Sequence, residues 1–442
     1  MVGKKITGNF RRNPLWYRIL NGIWNGTCIS GTKIRLDKDD LIRKARKATG
    51  LQELGPDFND EPLERLLRSI NEEAALHPAG RFITRERFVS LLSIRLRAEY
   101  FFKKHPDILE QEVYPAWIIV GLQRTGTTKL HRLLAQDPAH RVIPSWEVIN
   151  PVPIDKNLYD LSTAHRLTRL PDYPLTYPHP KDTRIAKAHT AVRALRFISP
   201  GFWAIHPIDV MQPEEDILLL DISFMSTTPE AMMHVPSYAS WLENTDQSDA
   251  YAYAVKLLKL LQRINPAKRW VLKSPHHLEF PRLIEKHFGD VHFLWPHRNL
   301  AESIPSYLSM VTYNRMIFSA HADERQVAEH WVRKIGYMLD QAMEYRLKPG
   351  NDSKFTDIYY NDLVTDSIGE LDKIYRLDGG LTDVLVKRFL SHERQNPHRK
   401  HGIHHYSMAD FSLTDAEIER HALRYERFMK ERNGKDTAEK IQ

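Results

Sequence analysis

Over the first hundred residues, apolar side chains recur at helical spacing. From about Leu36 to Lys104 the pattern predicts three helices, with Leu63, Leu66, Leu67 and Ile70 on one apolar face and Phe88, Leu91, Leu92 and Leu96 on another. At Ala116 the texture changes. Ala116-Trp-Ile-Ile-Val-Gly121 is a short continuous apolar run, the pattern of a strand buried on both faces of a parallel sheet. A turn and a helix follow, the helix presenting Leu130, Leu133 and Leu134. Trp270-Val-Leu-Lys273 predicts a second strand ahead of a helix from about His277, and Val291-His-Phe-Leu-Trp295 a third, leading into a helix after Arg298. Lys354 to Tyr360 reads as a last strand and Thr414 to Arg432 as a C-terminal helix. Strands alternating with helices imply βαβ units and a parallel sheet.

Two stretches stand apart. Asn150 to Pro213 carries nine prolines, among them Pro171, Pro174, Pro178 and Pro180, which exclude a continuous helix or a central strand. Surface loops with short helices are expected there, either a substrate lid or a structural insertion. Near the N-terminus, Pro14 can open a helix after an Asn13 cap. Leu15, Trp16, Ile19, Leu20, Ile23 and Trp24 then form one apolar stripe, with Lys4, Lys5, Arg11, Arg12 and Arg18 around it. Packing of the stripe on the helical preface or a partner subunit is the favoured reading. The other is peripheral membrane contact through residues 13–26, which would suit a lipid-like acceptor.

Composition narrows the class. With 442 residues and 42% hydrophobic content the chain can bury one large α/β domain with additions. Its one cysteine, Cys28, excludes an intrachain disulfide and suits a reducing compartment, so a cytoplasmic location is expected. A net charge of +7, spread along the chain, favours anionic ligands, but no basic stripe with interleaved aromatics marks a nucleic-acid reader. No run approaches the ~20 apolar residues of a membrane span.

The chemistry is concentrated at Gly121-Leu-Gln-Arg-Thr-Gly-Thr-Thr128, between a strand and a helix. Gly121 and Gly126 permit a tight turn, so that backbone N–H groups and the helix N-terminus converge on an anion. Thr125, Thr127 and Thr128 add hydroxyls, and Arg124 a planar charge. A Walker A loop would need Lys at position 127, and no strand ends in a clear Walker B aspartate. Instead one strand ends in Lys273 and another runs into His297-Arg298. The loop is a phosphate cradle of another kind.

This loop resembles the 5′-phosphosulfate loop of sulfotransferases that use 3′-phosphoadenosine 5′-phosphosulfate (PAPS), in the Arg-[Ser/Thr]-Gly-Thr-Thr form found in bacterial members and tyrosylprotein sulfotransferases. His297-Arg-Asn-Leu-Ala-Glu-Ser-Ile-Pro-Ser306 is similar to the family's 3′-phosphate motif, with Arg298 and Ser306 eight residues apart. Shorter matches run from Leu51 to Phe428 and include Leu272-Lys-Ser-Pro-His276 and Tyr360-Asn-Asp-Leu363. The resemblance implies a P-loop-like α/β fold with a parallel central sheet flanked by helices, preceded by a helical extension over residues 1–112. The sulfotransferase domain then spans 113–442, with 150–213 as its lid region. It implies PAPS as co-substrate and no metal. Gln123, Arg124, Thr125, Gly126, Thr127 and Thr128 would bind the phosphosulfate, and Arg298 with Ser306 the 3′-phosphate. Tyr360 would lie near the adenine and Lys400, in Arg399-Lys-His-Gly-Ile-His-His405, in a basic loop over the 3′-phosphate. Arg124 and Lys273 would stabilise the departing phosphate.

The resemblance makes Glu147, in Ser145-Trp-Glu147, the general base, the alternative being a structural carboxylate paired with an arginine. His131 is a rival base or a solvated helix-face histidine. His206, near Glu214 and Glu215, would border the acceptor, while His276 and His277 read as packing or substrate contacts. Trp146 and Tyr360 each have a core alternative. The expected reaction moves a sulfuryl group onto a hydroxyl of a small-molecule or lipid-like acceptor. A P-loop kinase and a catalytically silent nucleotide-binding module are the other readings.

Overall fold

The computed structural model describes residues 13–27, 35–155, 182–396 and 407–439. Five parallel strands form one sheet in the order β2-β3-β1-β4-β5: β1 Ala116–Ile119, β2 His140–Arg141, β3 Arg269–Lys273, β4 Val291–His297 and β5 Phe355–Tyr359. The central position of β1 explains its unbroken apolar run, since it has no solvent face. Alternate residues feed opposite cores. Ile118, Trp270, Leu272, Phe293 and Trp295 join one cluster; Trp117, Ile119, Val271, Leu294 and Ile358 join the other. Ile118 is fully buried, and its truncation to Ala should cost about 2–5 kcal/mol.

β4 runs two residues past the expected Trp295, through Pro296. Val120 donates to the Leu294 carbonyl, so Leu294 and Pro296 both face β1, and β1 has left the ladder before Pro296 is reached. A missing donor costs nothing there. The two-residue β2 was not expected; it is too short to leave a pattern. The expected C-terminal helix is two helices, Asp415–His421 and Leu423–Glu439, the first opened by a Thr414–Glu417 capping box.

Helices named below are α1 Leu15–Thr27, α2 Lys38–Thr49, α3 Glu61–Glu72, α4 Pro78–Lys104, α5 Thr127–Leu134, α6 Ser145–Ile149, α7 Arg184–Ile198 and α8 Pro200–Ile205. α2, α3 and α4 are the three predicted helices, and their expected faces are buried. These faces share one core cluster with the inner strand residues, so the extension is built into the catalytic body. In the proline-rich region, α7 is longer than the short helices expected there, while residues 156–181 lie outside the described residues.

α1 is oriented against expectation. Its inward side carries Tyr17 and Asn21, both buried. The Tyr17 hydroxyl donates to the Ile317 carbonyl (2.9 Å), and Asn21 Oδ1 accepts from the Ala79 amide (3.0 Å) at the start of α4. Asn13 does not cap the helix through its side chain but donates it to the Met316 carbonyl. These polar contacts turn Leu15, Trp16, Ile19, Leu20 and Ile23 outward, so the stripe does not pack on the helical preface.

Candidate active site

Strand register brings three chain segments to one edge of the sheet. Ile119 of β1 lies beside Lys273 on one side and Leu294 on the other. The cradle loop after β1, Lys273 at the end of β3 and Arg298 just after β4 therefore share the carboxyl end, where open α/β sheets place their ligands.

The cradle depends on two glycines. Gly126 has φ +93°, and a Cβ there would sit 3.0 Å from the Tyr360 ring. A Cβ on Gly121 would meet Pro296 at 2.9 Å. Arg124 itself takes a left-handed conformation, φ +69°, a strained choice for a side chain with a Cβ and one that occurs preferentially at functional sites. The buried Thr125 hydroxyl donates to the Leu122 carbonyl (2.7 Å), closing the loop. Thr127 and Thr128 open α5, whose first amides point toward the cradle by helix geometry. Gln123 is half-buried beside them.

Lys273 is 2% exposed, an unusual place for an ammonium, and its surroundings hold it. Its Nζ donates to Glu215 (2.8 Å), and its backbone N–H to Asp216 Oδ1 (2.9 Å). Asp216 Oδ2 pairs with His277 Nε2 (2.8 Å), and His277 Nδ1 meets the Tyr251 hydroxyl (2.9 Å). Burial alone would raise the Asp216 carboxyl, but His277, with smaller help from a backbone hydrogen bond and His131, lowers its pKa. Glu214 behaves similarly, with burial opposed by Lys273 and His206. His206 is held below its ordinary value by burial, against the pull of Glu214 and Glu215. His206, Glu214 and Glu215 are all partly exposed, so carboxylates and an imidazole face the space beside Lys273. The Lys273–Asp216–His277–Tyr251 chain was not legible as a unit, since its members lie far apart in sequence. His277 is thus a packing and positioning residue, and His276 likewise turns inward to Gln247 (3.2 Å).

Glu147 sits on α6, 3% exposed, and accepts from Arg141 Nη2 at 2.7 Å. Arg141 in turn donates to the Asn265 carbonyl (3.1 Å) and lies over the Trp270 ring. Trp146 is buried, with the Arg184 guanidinium 4.8 Å from its ring centre. His131 is 1% exposed, its Nε2 3.1 Å from the Val271 carbonyl oxygen. The solvated-face reading of His131 is therefore wrong, and burial with the nearby Lys273 drives its pKa down to about 3. The imidazole is thus enclosed and neutral.

The other end of the site is more open. Arg124 Nε donates to Ser306 Oγ (3.1 Å), and Arg298 donates to the Arg124 carbonyl (3.0 Å). Arg298 also lies 4.2 Å from the Tyr360 ring centre and forms an ion pair with Glu302 at 2.9 Å. Tyr360 is half-buried, neither a core tyrosine nor free. A cavity of about 850 Å³ opens here, lined among others by Arg298, Glu302, Tyr360, Asn361 and Tyr425. That volume is of the size that holds a nucleotide-sized ligand. Below it His297 is fixed between Asp357 and the Tyr425 hydroxyl, which anchors the strand end that presents Arg298. Lys400 lies outside the described residues. So Arg124 links Ser306 to Arg298, and Arg298 in turn reaches Tyr360.

Comparison with known proteins agrees with this geometry. Residues 115–379 match the model of a sulfotransferase family. The structure is similar to sulfotransferase STF1 from Mycobacterium tuberculosis H37Rv, at 27% identity and TM-score 0.72, covering 88% of this chain and 99% of that one. It shares its fold with sulfotransferase STF9 from Mycobacterium avium, at 22% identity and TM-score 0.75, covering 89% and 97%. No curated protein gave a significant match. The family match covers the cradle, Lys273, Arg298 and Tyr360 together and sets the kinase reading aside: this chain belongs to the sulfotransferase family and is a sulfuryl-transferring enzyme of P-loop-like fold.

Proposed function

We propose that the sulfuryl donor is PAPS and the acceptor a hydroxyl on a small or lipid-like molecule. The observation that carries this reading is the contact between Arg124, Ser306 and Arg298, which joins the cradle to a second cationic position at the rim of the cavity. A donor with a 5′-phosphosulfate and a 3′-phosphate needs two such anion sites. The bound donor supplies an activated sulfuryl group whose leaving group is a phosphate. Negative charge grows on that phosphate in the transition state, and cations held at the site when the donor is bound stabilise it. Lys273 and Arg124 supply those cations, and the α5 N-terminus adds oriented amides. Arg298 and Ser306 hold the 3′ end through charge-assisted and neutral hydrogen bonds. For Lys273 to reach the donor, its ammonium must exchange Glu215 for phosphate oxygen.

Acceptor activation is assigned to Glu147 on the family resemblance. A second reading rests on geometry: Glu215 touches Lys273, is partly exposed, and is released when Lys273 turns to the phosphate. Glu147→Gln keeps an acceptor for Arg141, so it leaves no orphaned guanidinium. With Glu147 as base, this variant loses about 10²–10⁴ in turnover while bisphosphate affinity holds. A larger loss in Glu215→Gln than in Glu147→Gln moves the base to Glu215.

The function itself is tested by transfer of labelled sulfate from PAPS to a panel of alcohols, sterols, glycolipids and phenols. Release of adenosine 3′,5′-bisphosphate in step with a labelled product is expected. Labelled product from a p-nitrophenyl sulfate donor but none from PAPS would overturn the donor assignment.

A further inference from the structure

We infer that the outward face of α1, together with the C-terminal part of α7, docks on an anionic lipid bilayer. The inference stands on surface chemistry and is independent of the donor and of the catalytic assignments. Leu15, Ile19 and Ile23 are 67%, 52% and 63% exposed, and Trp16 and Leu20 lie beside them. The patch continues onto a second helix: the Trp16 ring stacks on Phe197 of α7 at 4.6 Å, and Phe197 is itself 64% exposed. This apolar face is fixed outward, because the opposite side of α1 is committed to Ile317 and Ala79 through Tyr17 and Asn21. Monomeric proteins rarely expose so many contiguous large apolar side chains without a partner.

Charge selects the partner. Residues 1–36 contain seven basic residues and no acidic one, and residues 183–208 likewise contain no Asp or Glu. Of these cations Arg18 on α1 and Lys187, Arg193 and Arg196 on α7 are exposed. Apolar and aromatic side chains on surface helices whose charged residues are all cationic have the composition of an interfacial membrane element. Tryptophan favours the same headgroup depth. A second copy of the chain fits less well, since a two-fold contact would set these cations against themselves. Docking here has a consequence for access. α7 runs through α8 directly into His206, which faces Glu214, Glu215 and Lys273, so a bilayer on this face would lie beside the acceptor side of the site.

Vesicle sedimentation of the full-length protein tests the inference, using phosphatidylcholine alone and phosphatidylcholine with phosphatidylglycerol. Binding to the mixed vesicles only, weakened by salt, is expected. Ile19→Glu combined with Ile23→Glu replaces exposed positions, so the thermal midpoint should hold while binding falls at least about tenfold. Equal sedimentation of wild type and variant, or no sedimentation of wild type, overturns the inference. A wild-type dimer that the same variant dissociates, without vesicle binding, assigns the face to copies of this chain instead.

Discussion

The two ends of the site hold their cations differently. Lys273 is enclosed, its ammonium on Glu215 and its backbone tied through Asp216 to His277 and Tyr251. Arg298 stands at the rim of a cavity, stacked on Tyr360 and paired with Glu302 one helical turn ahead. The inner end is enclosed, its backbone fixed by a network spread over the sheet and its flanking helices, and only the ammonium's contact with Glu215 gives way to a donor. The outer end is adjustable, with a partner it can exchange for a ligand. Charge develops during reaction at the inner end, where rigidity and low dielectric are worth most. The outer end carries a charge that does not change, and needs only affinity.

The comparison sets a ranking of effects. Lys273→Met should lower turnover by roughly 10²–10³, the cost of one preplaced donor, with a much smaller change in bisphosphate affinity. A loss confined to affinity would place Lys273 outside the reacting centre. Arg298→Ala should weaken adenosine 3′,5′-bisphosphate by about 1.5–3 kcal/mol in calorimetry and leave adenosine 5′-monophosphate nearly unchanged. Equal losses for both nucleotides break the distinction between the two ends.

A third effect separates interior from rim by pH. His131 holds its folded pKa near 3, so between its ordinary value of 6.5 and about 3 the unfolded chain takes a proton that the folded one refuses. Stability contributed by neutral His131 is complete above pH 6.5 and is lost as the pH falls toward 3, by up to about 1.4 kcal/mol per unit. His131→Gln should therefore gain on wild type as pH drops from 7 to 4, read as the difference in thermal midpoints. A constant difference contradicts the enclosed, neutral imidazole. The smallest effect is at the rim: Glu302→Gln frees Arg298 from an exposed partner and should tighten bisphosphate by less than about fivefold, within the up to ~1 kcal/mol of such pairs. Weaker binding would show that Glu302 helps rather than competes.

Much of the sheet could be read in advance because its strands are buried on both faces. β1, β3 and β4 appear as apolar runs, and the cradle and Arg298 follow two of them directly. β2 is too short to carry a pattern, and Pro296 concealed the end of β4. The site's long-range wiring was hidden for a different reason. Asp216, His277 and Tyr251 meet only through the fold, and no local spacing encodes that meeting. Glu147 shows the limit from the other side, since the family resemblance nominates it while the fold hands its carboxylate to Arg141. At α1 the periodicity was right and the orientation wrong. Two polar residues, Tyr17 and Asn21, decide which side faces in, because buried backbone groups at Ile317 and Ala79 need their hydrogen bonds.

The central claim is that this site is built for a nucleotide carrying both a 5′ anion and a 3′-phosphate. Calorimetric titration of the wild-type protein with adenosine 3′,5′-bisphosphate, adenosine 5′-monophosphate and ATP, each with magnesium and with chelator, tests it most directly. The account predicts that the bisphosphate binds at least about tenfold more tightly than the monophosphate, equally well in both conditions. Tightest binding of ATP, and only with magnesium, would contradict it.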